Sequence, residues 1–337
     1  MIRAVVARVI AGLVLILLLT LMTFAIWSII PVDPAIYLNP NATPEQRAAI
    51  RHELGFDRPL PEQWGSYVWR LGTEADFGNT LSAVPQPVRP ILTSALGPTL
   101  SLVLGGFALM LLLAVPLGVL CARRAGSALD RAILTFSVLG LVLHPFIVGL
   151  VLRQVFSGSL GLAPAGGYCP IRGEAPVFTD GFRSSSCGGL LDWTHHMWLP
   201  WMTFALFFLP LYVRFVRSHV LEQLGQLYVV TARAKGVPER RLVRGHVAQN
   251  ASGPIVAMVA VDVAAIVTTA IYVETIFGLP GIGRIVASSL SGGSGYDLKL
   301  ILGVVVLVAI AIMLLNLFAD LIIRALDPRV RLGRASD

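Results

Sequence analysis

The chain lacks the common signatures for handling a nucleotide or cutting a bond by itself. No G-x-x-x-x-G-K-[ST] stretch is present to cradle phosphates, so ATP cannot be bound here in the P-loop manner. H-E-x-x-H and G-x-S-x-G are absent too, which leaves an enzyme inside a membrane without an obvious metal or nucleophile. The two halves show no matched pair of broken spans, the mark of many secondary transporters. Charge is scarce, at 13% of residues, and the three cysteines include no C-x-x-C pair, so a zinc site has little to build on. The pI near 9.8 would suit a nucleic-acid binder, but the basic residues fall in short segments beside apolar runs, without aromatic interleaving.

What is abundant is apolar sequence: 55% of residues, with a mean hydropathy of +0.76, the composition of an all-α polytopic membrane protein. Six stretches are long enough, or nearly so, to cross a bilayer: Val9–Ile30, Leu96–Leu120, Ala132–Val155, Trp198–Val213, Ile255–Val273 and Leu300–Ile323. The fourth is short and carries Pro200 and Pro210. The first is too long for a signal-peptide core and lacks a small-residue cleavage site, so it is expected to stay as a helix. Placing the termini and the loops 121–131 and 214–253 in the cytosol puts sixteen Lys/Arg there against nine in the outer segments. The positive-inside rule therefore favours cytosolic termini. The expected organisation is an N-terminal spanning helix (1–30), an external helical segment (31–95) and a five-helix core (96–337). That core carries an external insertion (157–197) and a cytosolic loop (217–253).

The external segment has its own helix signals. Thr43-Pro44-Glu45-Gln46 is a capping box with proline at the first helical position, and Gly55 closes that helix. A second helix is expected to start near Pro61, to place Trp64, Tyr67, Val68 and Leu71 on one face, and to stop at Gly72. Those aromatics suit interfacial anchoring or packing against the spans, with contact to solute as the weaker alternative. Within the spans, His144 and Pro145 mark a kink, because proline frees a carbonyl that must find another partner. Asp262 is the deepest unambiguous acid, a candidate for the pathway or for helix contact beside the small-residue stripe Ala260, Ala264 and Thr268. In the second outer segment Cys169 and Cys187, 18 residues apart, read as a disulfide in an oxidising compartment. A weaker alternative is zinc held with His195 and His196. Cys121 is expected to be a free thiol.

The longest basic run, Tyr228–Pro254, lies between two apolar spans. From Arg214 to Gly253 there are seven Lys/Arg against two acids, which marks a cytosolic loop. Leu224, Leu227, Tyr228 and Ala232 recur at helical spacing, and Gly236 offers a left-handed stop. Pro238 then opens a second helix whose positive end Glu239 complements. The expected form is helix, sharp glycine turn, helix: an elbow suited to docking into another protein.

Three blocks carry a family resemblance over nearly the whole chain. They are ELGFDRPLPEQW with DFGNTL and PVRPILTSALGPTLSL; TARAKG with His246, Asn250 and Pro254 downstream; and VETIFGLPGIGR with NLFADLIIRALDPRVR. The chain resembles the permease subunits of ABC importers of the dipeptide/oligopeptide/nickel class, specifically the first of their two permeases. The resemblance implies the type I importer permease fold in a prokaryotic inner membrane, and a pathway for di- and oligopeptides worked by alternating access. The partners it implies are a second, similar permease, two ATPase subunits that bind ATP and Mg, and an external solute-binding protein. No cofactor on this chain and no nucleic-acid partner are expected. The loop becomes the ATPase-coupling loop: Thr231, Ala232, Arg233, Ala234, Lys235, Gly236, Val237, Pro238, Glu239, Arg240 and Arg241. His144, Pro145, Asp262 and Glu274 stand as candidates for pathway or gating. Departures occur as well. Val230, Thr231 and Ala232 replace the importer-wide Glu-Ala-Ala, and Leu227-Tyr228-Val229-Val230 replaces Asp-Tyr-Val-Arg. Rival readings remain: a channel or secondary transporter acting alone, a non-transporting assembly or receptor protein of the membrane, and a nickel or oligosaccharide importer subunit of the same family.

Overall fold

In the computed structural model residues 2–29, 34–39, 41–82, 84–171, 187–290 and 297–326 are described. The middle of the 157–197 insertion and the DPRVR motif near the end lie outside them. Among the described residues the structure is helical, with one isolated bridge between Asn79 and Pro87. The helices are α1 (Ile2–Ile29), α2 (Pro34–Leu38), α3 (Pro44–Leu54), α4 (Leu60–Glu74), α5 (Val88–Arg123), α6 (Ala128–Val142) and α7 (Pro145–Leu152). They continue with α8 (Leu190–Leu224), α9 (Leu227–Ala234), α10 (Glu239–Arg241), α11 (Ala248–Val261), α12 (Val263–Phe277), α13 (Ile282–Leu290) and α14 (Leu298–Leu326). Among the described residues four helices are long and apolar enough to span a bilayer, or up to six if each of two bent helix pairs counts as one span.

The spans depart from sequence expectation in ways the packing explains. α5 begins at Val88 rather than Leu96, because Val88, Ile91, Leu92 and Ala95 are buried in a core shared with Ile282, Ile285 and Val304. The stretch expected to be shortest lies within one of the longest helices, α8, which runs through Pro200 and Pro210. Twelve of its residues are buried, so tertiary contact outweighs the two prolines. The third expected span is broken: α6 and α7 meet at 103°. There His144 caps α7, its Nδ1 accepting from the Phe146 N–H at 3.3 Å. The fifth is interrupted at Asp262, where one residue ends α11 and begins α12.

Two compact units form. The first takes in the described residues up to Thr99 together with Leu279–Leu314. In it, Phe24 of α1, Tyr67 of α4, Leu81, Leu298 and Leu302 make a buried cluster, with Trp27, Phe56, Trp64, Val68 and Leu71 packed against it. The expected apolar face of α4 is thus the face it buries. Trp64 Nε1 donates to Thr20 Oγ1 at 3.1 Å. The α3 capping box is formed on both sides, and Gly55 ends that helix at φ 71°. α4 does not stop at Gly72 but continues to Glu74 and closes on Ala75 at φ 51°.

The second unit holds the described residues from Leu100 to Gly278 and from Leu315 onward. α6 and α7 pack on α8, as do α11 and α12. α5 approaches α8 so closely that a Cβ at Gly118 would fall 2.7 Å from the Val216 side chain, so glycine sets that spacing. Cys169 and Cys187 are joined as a disulfide, with Cα atoms 5.5 Å apart. That pairing removes the thiolates a zinc site would need. His195 and His196 instead contact the carbonyl oxygens of Leu162 (3.3 Å) and Asp192 (2.8 Å). Cys121 is free and buried.

Candidate functional site: the elbow after the long helix

α8 ends at Gly225, and the chain turns at Gln226 into α9. The turn that ends α9 is a Schellman motif: the Val237 N–H donates to the Ala232 carbonyl at 3.1 Å and the Gly236 N–H to the Arg233 carbonyl at 2.9 Å. Gly236 takes φ 77°, a conformation in which other L residues cost about 1 kcal/mol or more, while no neighbouring atom crowds the position. Pro238 then caps the short α10 with φ −65° and ψ 139°. A wider, π-type turn over Leu242–Val247 leads into α11.

Beneath this elbow lies a dry core. Val229, Leu242 and Val247 are 0% exposed. They pack with Ala122 at the end of α5 and with Val216 and Val220 of α8, while Ala232 and Val237 cover the edge. Burial of this kind stabilises by roughly 1.5–3 kcal/mol per large side chain, which fixes the elbow onto the ends of α5 and α8. Arg233 Nε donates to Glu239 Oε1 at 2.6 Å across the turn. Both side chains are nearly half exposed, so the pair adds little stability and mainly orients α10.

The outward face of α9 is apolar. Leu227 is 83% exposed and Val230 55%, with Tyr228, Thr231 and Ala234 beside them. The two positions where charge is missing relative to similar loops therefore present hydrocarbon to solvent. Lys235, Arg240 and Arg241 are exposed around this face. An apolar stripe with a cationic rim on a rigid support has the anatomy of a docking helix.

A second feature ties the elbow to the rest of its unit, and sequence reading missed it. Asp130 of α6 receives Arg217 of α8 in a two-pronged pair, Nε to Oδ1 at 2.6 Å and the second nitrogen to Oδ2 at 2.8 Å. The Asp130 side chain is 2% exposed and also accepts from the Gly126 N–H at 2.9 Å. The signal that could have found it is Ser127-x-x-Asp130, where the Ser127 hydroxyl accepts from the Asp130 N–H at 3.2 Å. The Arg217 partner lies 87 residues away and has no local signature.

The intramembrane candidates do not converge on one cluster. His144 is exposed, and its ring stands edge-on to Tyr272 of α12 at 4.6 Å, while Pro145 is buried. Asp262 accepts a hydrogen bond from the Tyr212 hydroxyl at 3.0 Å. Glu274 is 0% exposed. Asp262 and Glu274 stand at opposite ends of α12, about 18 Å apart along its axis. What the structure provides is two interrupted spans, each with a polar group at its break.

Several apolar spans, two of them broken, and an elbow with an exposed apolar face define a multi-pass membrane protein that carries a candidate docking helix. A family model described as "Binding-protein-dependent transport system inner membrane component" matches residues 114–332, and the model for the N-terminal part of the same components matches residues 1–92. The chain belongs to this family. A putative peptide permease protein of Brucella suis biovar 1 is 31% identical over 98% of this chain and 99% of its own length. The oligopeptide transport system permease protein AppB of Bacillus subtilis is 30% identical over 97% of this chain and 98% of its own. Among solved structures, an inward-facing conformation of the MetNI methionine ABC transporter matches with a TM-score of 0.52 and 19% identity. The match covers 72% of this chain and 100% of that one, and shows a shared fold.

Proposed function

We propose that the chain is a transmembrane permease subunit of an ATP-driven importer of di- and oligopeptides, forming half of the pathway beside a second, similar permease. Two ATPase subunits carry ATP and Mg, an external solute-binding protein delivers the peptide, and the termini lie in the cytosol. The observation that carries this reading is the elbow: an exposed apolar helix face, α9, fixed by a Schellman turn onto a buried core. Closure of the ATPases carries the elbow with it. The core under the elbow passes that motion to α5 and α8, and the Asp130–Arg217 pair passes it to α6, so the broken spans alternate between inward and outward access. Only contacts that differ between the two states can drive such a change, which requires a stiff joint. The peptide reading follows the names of the relatives at 30–31% identity, which are peptide and oligopeptide permeases.

The test is Gly236→Pro in the assembled, membrane-inserted complex. Proline cannot adopt φ 77° and removes the N–H that closes the turn. Peptide-stimulated ATP hydrolysis and uptake are expected to fall together to background. Survival of both in a well-inserted complex contradicts the coupling role, and stimulation by nickel or an oligosaccharide instead of peptides contradicts the substrate class.

A further inference from the structure

The first unit contains a cavity that coupling does not use. It has a volume of about 230 Å³ and lies where the end of α3, α4 and the start of α14 come together. Its charged lining is Arg58, Arg70 and Lys299 against the single acid Glu53. Lys299 is one of only two lysines in the chain. Its ammonium rests 5.6 Å from the Phe24 ring centre and 5.3 Å from that of Tyr67, held on aromatic faces instead of a carboxylate. Arg70 stands close enough to repel it.

Two acids outside the cavity lining, Asp76 and Asp297, offset part of the Lys299 charge, and each is itself engaged by backbone N–H groups. Asp76 accepts from the Gly78 N–H at 2.8 Å, and Asp297 accepts from the N–H groups of Leu81 (2.7 Å) and Leu300 (3.1 Å). The neutral donors are spent as well: the Gln63 amide donates to the carbonyls of Phe56 and Arg58, and the Ser66 hydroxyl to that of Gln63. The lining therefore sets three cations against the one acid Glu53, and an excess of like charge held together calls for an anion.

Its depth indicates which anion. Phe24 lies in the last turns of the span Val6–Ile29, and Lys299 is the second residue of the span Leu298–Phe318. Trp27 and Trp64 pack on the same cluster, and Trp69 of α4 is 72% exposed. Tryptophans at the ends of spans mark the membrane–water boundary, the level of phospholipid headgroups. A headgroup with its own ammonium would meet three cations, so an anionic one fits better.

We propose that this cavity is a phosphate site, in which Arg58, Arg70 and Lys299 hold the phosphate group of an anionic phospholipid headgroup or free phosphate. The inference rests only on the chain spanning a membrane. It needs neither ATPase partners nor transport, so its failure and that of the importer reading are separable.

The experiment uses the full chain in nanodiscs of phosphatidylcholine doped with phosphatidylglycerol, extracted into mild detergent and weighed by native mass spectrometry. In parallel, 31P line broadening of inorganic phosphate is followed in a lipid-free sample. Arg58 and Arg70 are exposed, so Arg58→Gln with Arg70→Gln leaves the core untouched. Retained phosphatidylglycerol that falls about tenfold in the double glutamine variant, and returns in part when both positions are lysine, supports the site with a lipid occupant. Phosphate broadening lost in the same variant, with no lipid retained, supports it with free phosphate. Equal binding of both probes by the native chain and the glutamine variant, or retention of phosphatidylcholine as strong as that of phosphatidylglycerol, overturns it.

Discussion

The elbow after α8 and the interruption at Asp262 are both places where a helix stops, and they are built in opposite ways. At the elbow the stop is made by backbone geometry, Gly236 in the left-handed region with its turn closed by two N–H donors, over side chains that are 0% exposed. At Asp262 the stop is polar: a carboxylate sits between two helices and takes its hydrogen bond from Tyr212 on a third. A dry, backbone-closed joint resists bending, while at Asp262, where backbone bonds run on to the Met258 carbonyl (3.0 Å) and from the Ile266 N–H (2.9 Å), the Tyr212 bond is the one that shifting helices can exchange. In the proposed mechanism the first part transmits motion and the second yields to it.

The sharpest way to break the contrast is to make the stiff region soft. Asp130→Ala leaves Arg217 without its carboxylate partner and is expected to cost about 2–3 kcal/mol, read as a lower midpoint in SDS unfolding of the detergent-solubilised chain. Adding Arg217→Met should recover much of that loss. A double variant as unstable as the sum of the singles would contradict the pairing. Next in size is Leu242→Ala, which empties a fully buried position beneath the elbow and should cost about 2 kcal/mol or more. Amide hydrogen exchange in α9 should rise with it, and unchanged exchange would mean that the core does not hold the elbow. The smallest effect is expected from Arg233→Ala, whose partner Glu239 is nearly half exposed. The change should be about 0.5 kcal/mol or less. A loss several times larger would show that the ion pair, and not the buried core, sets the elbow's shape.

The sequence carried the local parts of this contrast well. The Thr43 capping box, the Gly55 stop and the turn at Gly236 each depend on residues within one helical turn, and each stands where its residues place it. The same local reasoning put the end of α4 at Gly72. The chain runs on because nothing there requires a left-handed residue, and Ala75 takes that conformation instead. Extents that depend on tertiary burial were hidden: the early start of α5 and the long run of α8 through two prolines come from neighbours distant in sequence. The elbow's chemistry was read as basic from its composition, but burial decides which side faces out. Val229 turns inward and Leu227 and Val230 outward, so the exposed face of α9 is more apolar than the charge count suggested. The Asp130–Arg217 pair was illegible for the same reason, since its two halves are joined only by the fold.

The central claim is that the exposed face of α9 is the seat of an ATPase. Val230→Cys, made in a chain whose Cys121 has been replaced by alanine, places a thiol on that face at a position 55% exposed. With the disulfide intact, it becomes the one thiol open to a membrane-impermeant maleimide applied from the cytosolic side. The measurement is its labelling rate in the isolated chain and in the complex with the ATPase subunits. Rapid labelling alone and at least tenfold protection in the complex is the predicted result; equal labelling in both would contradict the claim.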